Sequence, residues 1–124
     1  MAIRVSRMAG CILVVDDERD IRDAIAELLQ DEGYEVEEAG DGAEALAKAR
    51  DCHPLVVLLD LMMPGMSGWE FRDRQRGDPQ LAEIPVIVVS ALGKAPGVDA
   101  AGYLQKPFDL DDLLSAVRRH AHDA

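Results

Sequence analysis

Three carboxylates, a hydroxyl and an amine each follow a short apolar run of this 124-residue sequence. Such a cluster of carboxylates repels itself, and either a bound cation or a raised pKa relieves the repulsion. Oxygen ligands without a histidine or thiolate beside them favour Mg²⁺ or Mn²⁺. A divalent ion and a lysine together suit a phosphoryl group attached to one aspartate. The five residues are Asp16, Asp17, Asp60, Ser90 and Lys106.

The apolar runs that precede these residues have the length of β-strands. Residues 12–15, 55–59 and 86–89 are continuous runs of leucine and β-branched residues, which is typical of strands buried on both faces. Residues 34–39 alternate as an edge strand does, and residues 102–105 form a short fifth strand. The sequence therefore predicts five strands.

Amphipathic segments lie between the strands and predict helices. The first helix can end at Gly33, whereas Asp41 and Asp109 can cap the second and the last. The segment after Trp69 and Phe71 is polar where an inner apolar stripe should continue, so we expect a short or loosely packed third helix. The predicted inner faces are Ile21, Ala24, Ile25, Leu28 and Leu29; then Ala43, Leu46 and Ala47; and finally Leu110, Leu113, Leu114, Val117 and Ala121.

This alternation predicts one doubly wound α/β domain with helices on both faces of a parallel sheet. Its functional site is expected at the carboxyl ends of the strands. We assign the domain to residues 11–122 and expect residues 1–10 to be a flexible extension.

Charge and composition disfavour several classes of partner and several cellular locations. The 24 acidic and 13 basic residues leave a net charge of −11, which disfavours nucleic acid and anionic lipid. The longest apolar runs stop at five residues, so neither a membrane span nor a signal peptide is expected. Cys11 and Cys52 form no Cys-x-x-Cys pair and are expected to be separate, idle thiols of a cytoplasmic protein.

Five motifs in order make the chain resemble the receiver domain of bacterial two-component response regulators. The resemblance covers residues 11–122 and implies the flavodoxin-like sheet order 2-1-3-4-5. The motifs are Leu-Val-Val-Asp-Asp-Glu at 13–18, Asp-Gly-Ala-Glu-Ala-Leu at 41–46, Asp-Leu-Met-Met-Pro at 60–64 with Gly68 beyond, Ser90-Ala91, and Tyr-Leu-Gln-Lys-Pro-Phe at 103–108.

The resemblance assigns a role to each site residue. Asp60 would accept a phosphoryl group from a phosphohistidine on a sensor histidine kinase, and Lys106 and Ser90 would contact the phosphoryl oxygens. Magnesium would be held by Asp17, Asp60 and the backbone carbonyl of Met62, with Asp16 acting mainly through water. Such a domain is a phosphoacceptor that supports its own phosphotransfer and autodephosphorylation, rather than an enzyme acting on a separate substrate.

The family's switch is expected to involve two further features. Tyr103 would turn inward when Ser90 moves toward the phosphate, and the Lys106–Pro107 peptide would be cis. The switch would then act on a downstream protein target.

Two other functions remain open, and two further patterns are explained better in other ways. The chain could be a phosphorelay intermediate that passes the group to a histidine phosphotransfer protein, or a phosphorylation-independent interaction module. A dehalogenase-type phosphatase also forms an aspartyl phosphate, but it needs an acidic residue where this chain has Met62. The pattern Gly-x-Gly-x-x-Ala at 40–45 is explained better by a turn and the Asp41 cap than by nucleotide binding.

The chain departs from the family between Ser90 and Lys106, where the connection is short. We expect the fourth helix of the family to be shortened or absent, with a loop or single turn at residues 93–97, because glycine and proline disfavour a helix there. Apolar surface beside the fourth strand would then be uncovered and available to a partner or to self-association. We accordingly expect a monomer or a weak homodimer.

Overall fold

The computed structural model describes residues 10–92 and 99–121. Five parallel strands form one sheet in the order β2-β1-β3-β4-β5, which confirms the expected topology. The strands are β1 (Cys11–Val15), β2 (Glu35–Ala39), β3 (Val56–Leu59), β4 (Val86–Ser90) and β5 (Gly102–Gln105). The alternating strand β2 lies at the sheet edge, as predicted.

Four helices in the described ranges cover the two faces of this sheet. They are α1 (Arg19–Asp31), α2 (Gly42–Cys52), α3 (Gly68–Arg76) and α4 (Leu110–His120). Helices α2 and α3 pack on one face around Phe71, and α1 and α4 pack on the other around Leu29 and Leu113. The central strands are therefore buried on both sides, which is why their sequences are continuously apolar.

The helix ends follow the predicted signals with one exception. Asp41 caps α2 by accepting the Glu44 N–H at 2.9 Å, and Gly33 follows α1 with a φ of 97°. Asp109 occupies the position before α4, but its side chain makes no capping hydrogen bond in the structure. Its sequence position was therefore predicted correctly and its side-chain contact was not.

The predicted inner faces are partly wrong. In α2 the buried residues include Ala45 and Ala49, whereas Ala43 and Ala47 are exposed. An alanine-rich helix offers two nearly equal apolar stripes, and packing against β1 and β2 selects the one that begins at Gly42. In α1, similarly, Ala24 is exposed and Ala26 is buried; in α4, Leu110 is 51% exposed.

The third helix was expected to be either short or loosely packed. Helix α3 is short, but it is not loosely packed. Phe71 and Gln75 are both fully buried. The Gln75 amide donates to the carbonyl oxygens of Leu81 and Ile84, both at 2.9 Å, and its oxygen accepts from Arg72 at 3.0 Å. A polar side chain with all its hydrogen bonds made thus occupies the position where the helical pattern predicts an apolar residue.

Strand β4 itself, within the described residues, leaves no apolar side chain uncovered, contrary to the expectation; Leu92, two residues beyond the strand, is 48% exposed. All five residues of β4 are buried, and Val86 and Val88 pack with Phe71 and Leu81. Arg72 extends from α3 and donates from Nε to the Asp99 carbonyl at 2.8 Å. Helix α3 and the end of the short connection are thereby tied together.

Some expectations fall outside the described residues. No helix is present at 91–92 or 99–101, the described part of the connection between β4 and β5. The loop or turn predicted at 93–97 lies outside the residues that the structure describes, and so does the extension predicted at 1–10 except for Gly10. Within 10–92 and 99–121, every helix is too short or too polar to cross a bilayer.

The two cysteines are free, but they do not stand apart as predicted. Cys11 begins β1 and Cys52 ends α2, and their Sγ atoms lie 2.9 Å apart. The sequence separation of 41 residues concealed this contact, because only the packing of α2 on β1 brings the two thiols together.

The role of Gln75 can be tested by replacing its amide with an apolar group of similar length. We expect Gln75→Met to lower the free energy of unfolding by about 2–3 kcal/mol, because two buried carbonyl oxygens and the Arg72 guanidinium lose their partner. Urea unfolding followed by circular dichroism measures this loss. The exposed Gln80 provides the control, since Gln80→Met should change stability by less than about 0.5 kcal/mol. Equal stabilities for the two variants would contradict the assigned role.

Candidate phosphoacceptor site

The strand register brings the predicted site residues to one edge of the sheet. Val15 pairs with Leu59, so Asp16 and Asp60, which follow these residues, lie side by side. Ser90 at the end of β4 pairs with Gln105 of β5, and Lys106 comes next. The Lys106 N–H also donates to the Ser90 carbonyl at 3.0 Å.

Lys106 is the cation at the centre of this edge. Its Nζ lies 2.8 Å from an Asp16 oxygen, 3.2 Å from Glu18 and 3.5 Å from Asp60. Burial disfavours the charge of the ammonium, but its hydrogen bond to Asp16 and the neighbouring carboxylates outweigh that cost and raise the pKa of Lys106. The lysine is therefore held charged. The Lys106–Pro107 peptide is cis, as the resemblance implied.

Asp60 is buried, with 5% of its surface exposed. One carboxylate oxygen accepts the Met62 N–H at 3.2 Å and the other faces Lys106. Burial raises the pKa of the Asp60 carboxyl, and the Asp16 charge adds to the rise, while the Met62 N–H and Lys106 oppose it. On balance the folded protein disfavours the ionised form of Asp60, because its neighbours offset only part of the cost of burial.

Asp16 is also buried, and Glu18 and Arg22, which were not among the predicted site residues, hold it in place. Its side chain accepts the Glu18 N–H at 2.9 Å, and its carbonyl accepts from Arg22 at 2.8 Å. Arg22 is itself held by Glu38 at 3.0 Å. The only sequence signal that Arg22 would hold Asp16 was its position in the first turn of α1, shortly after the two aspartates.

Three carboxylates at this edge are suitably arranged for a metal ion. Asp16, Asp17 and Asp60 each offer an oxygen, and these atoms lie within 4.8 Å of one another. Asp17 is exposed, whereas the other two are buried. Oxygen-only ligands in this number suit a hard divalent cation. The donor set therefore fits the magnesium site that was expected.

The two predicted switch residues, Ser90 and Tyr103, lie on the neighbouring strands β4 and β5. The Ser90 hydroxyl is buried and accepts the Leu92 N–H at 3.3 Å. Tyr103 is half-buried against the core around Phe71, and its hydroxyl accepts the Ala100 N–H at 3.0 Å. An open pocket of about 280 Å³ at the edge is lined by Asp17, Glu18, Asp60, Met62, Ala91 and Lys106.

Comparison with known proteins agrees with this arrangement. The model of the response regulator receiver domain matches residues 12–118. The chain belongs to this family. Receiver domains are phosphorylation-activated switches of two-component signalling, and the flavodoxin-like fold found here is theirs.

Individual relatives of this receiver domain differ in length. The solved structure of chemotaxis protein CheY4 from Vibrio cholerae has a TM-score of 0.82 and 38% identity, covering 90% of this chain and 98% of CheY4. Protein PilG of Pseudomonas aeruginosa is 36% identical over 115 residues, 88% of this chain and 85% of PilG.

A third relative is much longer. The DNA-binding dual master transcriptional regulator RpaA of a Synechocystis species is 39% identical over 113 residues, which cover 86% of this chain and 47% of RpaA. The receiver domain described here therefore spans about half the length of RpaA.

The raised pKa of Asp60 has a consequence for stability. A carboxyl whose pKa is higher in the folded state destabilises the fold while it is ionised, and the penalty fades as the pH falls through the raised pKa toward the ordinary value of 3.8. We expect Asp60→Asn to raise Tm at pH 7 by about 2–5 °C in a chelating buffer. The difference should shrink toward about pH 4.

Differential scanning fluorimetry across this pH range provides the test. Asp31→Asn is the control, because Asp31 is exposed at the end of α1 and its charge should matter little. A lower Tm for Asp60→Asn than for the wild type at pH 7 would show that the folded protein favours the carboxylate there.

Proposed function

We propose that Asp60 accepts a phosphoryl group from a phosphohistidine of a sensor histidine kinase and that the phosphorylated domain then binds a downstream protein. The observation that carries this proposal is the placement of a buried carboxylate 3.5 Å from the Lys106 ammonium and beside two further carboxylates. A structural ion pair needs one carboxylate for one ammonium, so it does not explain this excess of negative charge.

The chain's own residues account for the transfer. An oxygen of Asp60 attacks phosphorus, the bond from phosphorus to the histidine nitrogen breaks, and that nitrogen retains the electron pair. The Met62 N–H holds one carboxylate oxygen and Lys106 faces the other, so the Asp60 side chain is oriented before the donor arrives.

Lys106 and Ser90 are suited to stabilising the phosphoryl oxygens. Lys106 supplies a charge that the surrounding carboxylates keep protonated. Ser90 accepts a hydrogen bond from Leu92, and accepting that bond does not use the hydroxyl's own proton. Donation of this proton to the phosphoryl group would draw Ser90 toward Asp60, and Tyr103 is proposed to respond to that movement.

A divalent cation is proposed to complete the site. Asp17, Asp60 and the Met62 carbonyl would hold magnesium, with Asp16 acting through water. When bound, the ion would offset the repulsion between the anionic carboxylate and the phosphoryl group. The same residues would allow the domain to hydrolyse its own acyl phosphate.

Small-molecule phosphorylation tests the proposal without knowledge of the kinase. With magnesium and acetyl phosphate, we expect the wild type to gain one phosphoryl group, about 80 Da by intact mass. Asp60→Asn should gain none, and Lys106→Met should react at least about tenfold more slowly because the phosphoryl oxygens lose a cation. Asp31→Asn should behave as the wild type.

The controls separate the role of the metal from that of the acceptor. Excess EDTA should abolish the uptake, and a magnesium titration followed by Trp69 fluorescence reports binding independently. Uptake by Asp60→Asn would exclude Asp60 as the acceptor. Magnesium binding with no uptake from acetyl phosphate or from candidate kinases would favour the phosphorylation-independent module. Transfer onward to a histidine phosphotransfer protein would favour the relay.

A further inference from the structure

Cys11 and Cys52 form a thiol pair that the phosphoacceptor site does not use. They are the only cysteines of the chain, and both are half-buried. Cys11 begins β1, whereas Asp16 follows the end of that strand, so the thiol pair lies about 13–17 Å from the carboxylates. The pair therefore lies at the amino ends of the strands, and the carboxylates lie at the carboxyl ends.

The distance between the sulfurs points to a covalent link. The two Sγ atoms are 2.9 Å apart, within about 1 Å of the bonded distance of roughly 2.05 Å. Because 41 positions separate the two residues, the unfolded chain brings them together only rarely. The fold thus provides the proximity that disulfide formation requires.

A metal site explains this pair less well. Tetrahedral zinc with sulfur ligands at 2.3 Å holds the two sulfurs about 3.8 Å apart, which is farther than observed here. Across residues 10–92 and 99–121, the group formed by Asp16, Asp17 and Asp60 is the one that offers three metal ligands within reach of one ion. Among the described residues, none adds a third metal ligand to the thiol pair.

We propose that Cys11 and Cys52 are a redox-active dithiol, oxidised to an intramolecular disulfide by a small-molecule disulfide such as oxidised glutathione. The surrounding pocket of about 410 Å³ is lined by both cysteines with Glu35, Glu37, Lys48 and Asp51. It leaves the sulfurs accessible to a small reagent.

Cys52 is the attacking thiol. The Cys11 S–H donates to Cys52, which lowers the pKa of Cys52 and raises that of Cys11. The Cys52 sulfur attacks one sulfur of the oxidant, whose other half leaves as a thiolate. Cys11 then attacks the Cys52 sulfur and releases the second half. Two thiols lose two electrons and two protons, and the oxidant becomes two thiols.

The expected consequence is a change of stability. The disulfide would join the start of β1 to the end of α2 and would leave the phosphoacceptor edge as it is. Folding and disulfide formation are thermodynamically linked. If the equilibrium constant for forming the disulfide is larger in the folded chain than in the unfolded chain, the disulfide raises the folding equilibrium constant by the same factor. The oxidation state of the pair would thus set how firmly α2 is attached to the sheet.

Intact mass after incubation with oxidised glutathione tests the proposal in the full chain. We expect the folded wild type to lose about 2 Da and to show no lasting glutathione adduct. The ratio of internal disulfide to adduct should be at least about tenfold higher for folded protein than for protein in urea. Tm should rise on the order of 10 °C on oxidation.

Single substitutions provide the matched controls. Cys11→Ser and Cys52→Ser should each stop at one glutathione adduct and should show no such rise in Tm; Cys52→Ala serves where the serine variant does not fold. A persistent adduct on the folded wild type, a disulfide-linked dimer, or unreacted protein would each overturn the proposal. Phosphorylation of Asp60 is measured separately, so failure of one proposal leaves the other intact.

Discussion

Repulsion among the carboxylates at the ends of β1 and β3 is the constraint on which the site depends. Asp16 and Asp60 are both buried, and water cannot screen them well. Lys106 reaches them from β5 with contacts of 2.8 and 3.5 Å, but one cation leaves the cluster negative. The fold therefore holds an excess of negative charge at one edge, where the proposed divalent cation and phosphoryl group would bind.

The apolar sheet and its close packing keep these charges in place. Strands β1, β3 and β4 are buried on both faces, so the residues that follow them have little freedom to move apart. The start of α3 presses against the same edge, since a Cβ at Gly68 would lie 2.6 Å from the Asp60 carbonyl oxygen. A glycine is required there because the backbone of Asp60 is so near.

Polar side chains support the structure where apolar packing is thin. Arg22 connects Asp16 to Glu38, and Gln75 joins α3 to the loop before β4. The Arg72 guanidinium links Gln75 to Asp99 at the end of the short connection. These contacts are specific in direction, and they explain how a helix with few apolar residues covers β4.

The sequence alone determined which segments are strands and which strands are buried on both faces, because continuous apolar runs are local signals. It also predicted the candidate site residues, because polar residues follow those runs; the roles proposed for them came from the family resemblance. The order of the strands came from the family resemblance. Which stripe of α2 faces the sheet, the burial of Gln75 and the contact between Cys11 and Cys52 were decided only by tertiary packing. Each of these depends on a partner distant in the chain or on a choice between nearly equal faces, and such preferences leave no periodic trace in the sequence.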